Sequence, residues 1–140
     1  MNLSIITIVK NDKSNLESTI KSVLSQNYKD FEYIIFDGLS SDGIESVINR
    51  YKKNNIKYIR RSDKNYYDGL NKAIKKSKGN YIGILNAGDI YDNKNVLKMV
   101  MNKILKTKCD LLFSNLRYVN PKNKYSRVWK FDILHLNKLS

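Results

Sequence analysis

Asp89 closes the stretch Tyr81-Ile82-Gly83-Ile84-Leu85-Asn86-Ala87-Gly88-Asp89, a short apolar run that stops at polar, turn-forming residues. This pattern predicts a buried strand delivering a carboxylate to a sheet edge, and open parallel sheets bind ligands beyond the carboxyl ends of their strands. Two more acids hold comparable places. Asp37 follows the apolar Phe31–Phe36 segment, and Asp63 lies in the loop after Ile56–Ile59. Three acidic side chains are therefore expected on one rim. Oxygen ligands on short loops suit a hard divalent cation, Mg²⁺ or Mn²⁺, which takes one or two protein carboxylates and completes its shell with substrate phosphates. A plain turn and helix cap at Asp89-Ile90-Tyr91-Asp92-Asn93 remains open as the alternative, since Gly and Asp favour turns in any setting.

Other chemistries lack their residues. One cysteine (Cys109) and one histidine (His135), far apart in the chain, make no zinc ligand set. No phosphate loop of the G-x-x-x-x-G-K-[ST] kind occurs, and Lys10-Asn11-Asp12 stands where a G-x-G-x-x-G fingerprint would follow the first strand, which argues against NAD. His135 has no nucleophile elbow to serve and reads as a surface histidine. Cys109, just before Leu111-Leu112-Phe113, reads as a buried, inert thiol.

Such a rim needs strands alternating with helices. Leu3–Val9 is apolar and β-branched with little alternation, as expected of a strand covered on both faces. Ser14 and Glu17 have capping-box spacing ahead of a helix carrying Leu16, Ile20, Val23 and Leu24 and running to about Gln26. Phe31–Phe36 is the second strand, and a Ser/Asp/Gly loop to Gly43 leads to a helix with Ile44, Val47, Ile48 and Tyr51 inward. Ile56–Ile59 is a short third strand. A third helix follows with Leu70, Ala73 and Ile74 inward and Gly79 as its expected C-cap. After the strand to Leu85, Asp92 or Asn93 caps a helix built on Val96, Leu97, Val100, Met101, Ile104 and Leu105; Leu111–Asn115 is read as a fifth strand. Tyr125, Arg127, Trp129 and Phe131 share one parity and suggest another. The whole predicts an α/β domain with a mainly parallel sheet, right-handed crossovers and helices on both faces.

At 140 residues and 41% hydrophobic, the chain suits one domain spanning 1–140. No apolar run approaches the roughly 20 residues needed to span a bilayer, and the N-terminus lacks a signal-peptide pattern. The single cysteine fits a reducing compartment, so a cytoplasmic soluble domain is expected. The net charge of +13 invites a polyanion. The lysines are scattered through helices, however, which favours a generally basic surface over a nucleic-acid footprint. An anionic membrane surface remains a candidate partner.

Four segments, taken together, resemble the nucleotide-sugar half of a family 2 glycosyltransferase of the GT-A fold. They are Ile6-Thr7-Ile8-Val9-Lys10-Asn11-Asp12, Asp37-Gly38-Leu39-Ser40-Ser41-Asp42-Gly43, Tyr67-Asp68-Gly69-Leu70-Asn71-Lys72-Ala73-Ile74 and Lys78-Gly79-Asn80 through Asp89. They occur in family order and cover about the first two-thirds of the chain. The resemblance implies a Rossmann-like GT-A sheet and transfer of a sugar from a UDP- or GDP-linked donor to a saccharide or lipid-linked saccharide. By the same resemblance, Thr7 and Asn11 lie beside the nucleotide, Asp37 bonds the base, Asp63 and Asn71 line the donor pocket, and Asp89 is the metal-binding acid. A metal there would neutralise charge on the leaving diphosphate, while a protein base takes the acceptor hydroxyl's proton.

The sequence departs from the family pattern in two places. Asn86 and Gly88 stand where many relatives carry further acids, which leaves Asp89 the only carboxylate of that motif. The segment that normally holds the base and the acceptor site has no counterpart before Ser140, so a C-terminally truncated domain is expected and no catalytic base is named. Asp132 does not match the motif's position and reads as solvated. The alternatives to an active transferase are a non-catalytic nucleotide-sugar-binding domain, or half of a split enzyme completed by another polypeptide. A basic nucleic-acid-binding α/β protein is a distant third.

Overall fold

The structure is a computed structural model that describes residues 1–120 and 125–130. The chain forms two compact units, Met1–Leu97 and Lys98–Ser140. The first unit alternates strand and helix: β1 (Leu3–Val9), α1 (Lys13–Leu24), β2 (Phe31–Asp37), α2 (Glu45–Arg50), β3 (Ile56–Arg60), α3 (Tyr66–Ile74) and β4 (Tyr81–Ile84). α4 (Val96–Thr107) begins at its end and continues into the second unit.

The four strands form a parallel sheet in the order β3-β2-β1-β4. Leu3 is level with both Phe31 and Tyr81, and Val9 is level with Asp37, which in turn pairs with Arg60. Every strand of this sheet thus points its carboxyl end at the same rim. Along β1 all seven residues are buried. On one face Ile6, Ile8, Ile34 and Phe36 pack with Ala73 and Leu70 of α3 and with Ile59. The side chains of opposite parity, Ile5, Tyr33 and Ile35, are buried as well, so the second face is also covered. Buried stripes on α1 (Leu16, Ile20, Val23) and α2 (Val47, Ile48) serve that side. A near-continuous apolar strand covered on both faces is what a parallel sheet with crossovers on either side demands. No helix among the described residues is long and apolar enough to cross a membrane.

The structure corrects several sequence readings. The Ser14/Glu17 capping box does not form. α1 starts at Lys13 with Asp12 as its N-cap and no side-chain cap bond. Glu17 instead accepts from the Tyr51 hydroxyl at 2.9 Å and pairs with Arg50 at 3.0 Å and Lys21 at 3.2 Å, because charge-assisted partners outcompete a neutral amide.

Gly79 is not a C-cap, since α3 ends at Ile74. Its backbone lies against the start of β1, where a Cβ would come within 2.5 Å of the Ser4 amide nitrogen. β4 is not fully buried either: Ile82 and Ile84 are exposed, and among the described residues β1 is its only partner strand.

The expected strand at Leu111–Asn115 carries no ladder. In the second unit the strand is β5 (Leu116–Val119), antiparallel to β6 (Tyr125–Trp129), with Leu116 opposite Trp129 and a shift between Tyr118 and Val119. The Arg127 guanidinium lies 5.7 Å from the centre of the Trp129 ring. Periodicity over so short an apolar run cannot fix where pairing begins. Phe131, Asp132 and His135 lie outside the described residues.

Candidate active site at the carboxyl rim of the sheet

Asn86–Asp89 follows β4 in a tight turn closed by the Asp89 amide donating to the Asn86 carbonyl at 3.0 Å. Gly88 sits at φ +89°, a region that glycine enters without strain. One polar row on α1 holds this loop and the segment after it. The Thr19 hydroxyl, wholly buried, accepts from the Gly88 amide at 2.9 Å and donates to the Asp89 carbonyl at 2.9 Å. Ser22 Oγ accepts from the Tyr91 amide at 2.7 Å. Gln26, just past the helix end, donates to the Asn93 carbonyl at 2.8 Å and accepts from the Leu97 amide at 3.1 Å. Three polar side chains at spacings of three and four thus secure a loop that has few backbone bonds of its own.

The Asp89 side chain reaches solvent, yet neighbouring atoms crowd it enough to raise its pKa, against the lowering effect of bonds from Asn86. Asn86 is itself oriented by the Tyr66 hydroxyl, which donates to its Oδ1 at 2.8 Å. That leaves the amide nitrogen for Asp89. Burial raises the Tyr66 pKa, and Tyr67 and Asp89 add to the shift. Tyr66 opens α3, so the third and fourth strand-to-helix connections meet here.

The loop after β2 is built around Asp37, which is completely buried. Its Oδ1 accepts from the Ser40 amide at 2.8 Å, and its Oδ2 accepts from the Tyr58 hydroxyl at 2.6 Å with Arg60 Nε at 3.3 Å. A buried carboxylate is tolerable when it is paired and bonded in this way. Arg60 also donates to the Ser40 carbonyl at 2.8 Å and pairs with Glu45 at 3.0 Å. Asn11 ties the loop after β1 to the same turn: its amide donates to Ser40 Oγ at 2.9 Å, and its Oδ1 accepts from the Ser41 amide at 2.8 Å.

Asp63 lies against Gly38, with side-chain exposure of 5% and the Lys10 ammonium 3.9 Å away. Asn71 is exposed on α3. Thr7 is buried and donates to the Leu85 carbonyl at 2.7 Å, so its contact with Tyr33 at 3.0 Å must have the Tyr33 hydroxyl as donor. Burial pushes the Tyr33 pKa up.

Every residue singled out except Asn71 therefore sits at or just beyond the carboxyl ends of the strands. Thr7 and Asp37 are both buried and bonded within the chain. Asp37 and Asp63 flank Gly38, whereas Asp89 belongs to the Thr19–Tyr66–Asn86 group. Among the described residues no three Asp, Glu, His or Cys side chains converge on a point that could hold an ion. A site of one carboxylate fits a hard cation only if a ligand's phosphate oxygens supply most of the shell.

Thr19, Ser22, Gln26, Tyr58, Arg60 and Tyr66 were not foreseen from sequence. The signal available for the first three was their helical spacing among Leu16, Ile20 and Val23: a polar row beside the buried face of a helix must bond something.

A parallel sheet with polar loops gathered at its carboxyl rim is a Rossmann-like arrangement, and sheets of this kind bind ligands at that rim. The model of glycosyl transferase family 2 matches residues 4–137, and the chain belongs to that family. Over 93 residues, 64% of this chain and 36% of the relative, it is 38% identical to the Escherichia coli UDP-Glc:alpha-D-GlcNAc-diphosphoundecaprenol beta-1,3-glucosyltransferase WfaP. Its fold matches the GT-A structure of S. aureus TarS 1-349 with a TM-score of 0.73 at 22% identity, covering 79% of this chain and 34% of that one. The mannosyltransferase PcManGT from Pyrobaculum calidifontis, solved with GDP-Man and Mn²⁺, matches with a TM-score of 0.69 at 17% identity, covering 74% and 32%. The chain spans less than half of the length of the curated relatives it matches.

Proposed function

We propose that this chain is the donor-binding part of a metal-assisted glycosyltransferase, taking a UDP- or GDP-linked sugar for transfer to a saccharide or lipid-linked saccharide in cell-surface polysaccharide synthesis. The observation that carries the reading is the Asn86–Asp89 loop, secured by Thr19 at the sheet's carboxyl rim beside the Asn11–Ser40–Asp37 lattice. Asp89 would hold Mn²⁺ or Mg²⁺ together with the donor's diphosphate, and the ion would offset the charge that develops on the leaving group. Asn86, oriented by Tyr66, positions the Asp89 carboxylate. Asp37 fixes the turn on which Ser40 and Ser41 stand, and the exposed Asn11 is the rim residue available to the nucleoside. In the reaction the acceptor hydroxyl oxygen would bond the anomeric carbon as its proton passes to a base, the bond to the diphosphate oxygen would break, and the nucleoside diphosphate would leave with the electron pair.

The relatives support the donor class: TarS has been solved with UDP-GlcNAc and with UDP, PcManGT with GDP-Man and Mn²⁺, and WfaP is named for transfer from UDP-Glc to a diphosphoundecaprenol-linked sugar. The +13 charge suits docking on the anionic cytoplasmic leaflet, where such lipid-linked acceptors would be met. Stronger flotation with anionic than with neutral vesicles is expected, and equal flotation refutes it.

A second reading is donor binding completed by a further polypeptide, or binding without transfer. Calorimetry against UDP and GDP, with and without Mn²⁺, tests the shared core of both. Binding should need the metal and vanish in Asp89→Ala; metal-independent binding that ignores the substitution rejects the assignment. Mass-spectrometric detection of a glycosylated acceptor separates transfer from binding alone.

A further inference from the structure

Leu39 is the residue most at odds with its surroundings. Its φ is +62°, in the left-handed region where a Cβ crowds the following carbonyl, and the residue is 48% exposed. A branched apolar residue gains nothing from either condition. The turn nevertheless holds it there from both sides. Ser40 is fixed through its amide by Asp37, through its hydroxyl by the Asn11 amide and through its carbonyl by Arg60; Ser41 is fixed by Asn11 Oδ1. Asn11, the partner across the turn, is also left-handed, at φ +53°. Gly38, on the other side of Leu39, abuts Asp63 and donates its amide to the Val9 carbonyl at 3.0 Å. Strain that so many bonds enforce, at the rim where ligands of such sheets bind, marks a side chain held up for use.

We infer that Leu39 is a donor-recognition residue: its exposed side chain is the apolar wall against which the flat face of the nucleobase of a nucleoside diphosphate sugar packs. This rests on the donor-site reading above and adds to it the residue that sees the base. A base presents an apolar face of the size a leucine covers. The acids and amides of the turn face inward to one another, so Leu39 is the large apolar group that the turn offers outward. The phosphates lie with Asp89 on the far side of β1, so Leu39 contributes to recognising the nucleoside and not the diphosphate.

The test is Leu39→Asn, since asparagine tolerates the left-handed region, with Leu39→Gly as a second variant. Thermal unfolding, and calorimetry with UDP, GDP and inorganic pyrophosphate in the presence of Mn²⁺, are run on each. Relief of strain should raise Tm by roughly 3 °C in both variants. Loss of the apolar wall should weaken binding of the preferred nucleoside diphosphate roughly tenfold and leave pyrophosphate binding unchanged. Lys108→Gly, which relieves a φ of +53° at an exposed position in the second unit, should raise Tm without changing nucleotide affinity. Unchanged nucleotide affinity in both Leu39 variants overturns the inference while leaving the donor-site reading intact. An equal loss of pyrophosphate binding overturns it too, because the turn and not the side chain would then matter. A fall in Tm shows Leu39 to be a packing residue. A wild-type chain that binds neither UDP nor GDP overturns the inference and the donor-site reading together.

Discussion

Thr19→Val isolates the clamp on the metal-binding loop. The substitution keeps the β-branched shape and opens no cavity, but removes the one oxygen that bonds both the Gly88 amide and the Asp89 carbonyl, each at 2.9 Å. A typical intramolecular hydrogen bond contributes about 1 kcal/mol net, and a donor left unpaired costs somewhat more. Gly88 is exposed, so its amide can recover water, whereas the buried methyl that replaces the hydroxyl cannot serve the Asp89 carbonyl. The expected destabilisation is therefore about 1–2 kcal/mol. With a urea m-value near 2 kcal/mol/M this lowers the unfolding midpoint by about 0.5–1 M at constant m. If the same bonds hold Asp89 ready for metal, the loop samples open conformers by the same free energy, and Mn²⁺-dependent UDP binding weakens by roughly 5- to 30-fold. Thr19→Ser, which retains the oxygen, should restore binding even though it loses a buried methyl. Urea melts and calorimetry on both variants decide the matter. A Thr19→Val chain that loses stability but binds UDP and Mn²⁺ like wild type refutes the claim that α1 positions Asp89.

Asp37→Asn and Asp89→Asn should move stability in opposite directions. Asp37 is buried against Tyr58, Arg60 and the Ser40 amide, and its neutralisation should cost about 3 kcal/mol in chemical denaturation. Asp89 is crowded enough to raise its pKa, so its charge opposes folding at neutral pH; Asp89→Asn should raise Tm while abolishing metal-dependent nucleotide binding. The same raised pKa means that metal-dependent binding should fade on acidification at a pH above the ordinary aspartate value of 3.8, as a pH series of titrations would show. Glu32 moves the other way. Burial raises its pKa, but bonds from Ser4 and from the Lys78 and Gly79 amides, helped by Lys57, hold it below its ordinary 4.5. The stability it contributes is thus fully present above pH 4.5 and is lost as pH falls through the lower folded value. Glu32→Gln should flatten the acid limb of a stability–pH curve, and an unchanged limb contradicts this.

The first unit was legible because its elements are long, apolar and periodic. β1 spans Leu3–Val9 as read, and β2 and β3 each run one residue beyond the reading, to Asp37 and Arg60. What was not legible depended on partners distant in sequence. Ser14 and Glu17 have the spacing of a capping box, but Arg50 and Tyr51 of another segment claim the carboxylate. Gly79 looks like a helix stop, yet its reason for being glycine is the Ser4 backbone 75 positions away. The Leu111–Phe113 run has the composition of a strand, but ladder formation depends on a facing strand, and among the described residues that partner meets Leu116–Val119. At the rim, the acids were visible as types while their surroundings were not. Nothing in the sequence separates Asp37, sealed among three partners, from Asp89, open to solvent.

Paramagnetic broadening by Mn²⁺ in amide NMR spectra of the UDP-bound chain tests the central claim most directly. Signals of Thr19, Asn86, Gly88 and Asp89 should broaden first and those of Asn11 and Ser40 next, while Asn2, Ser77 and Gly79 at the amino ends of the strands stay sharp. Broadening centred on that opposite end, or spread evenly over the lysine-rich surface, would contradict a donor and metal site at the carboxyl rim.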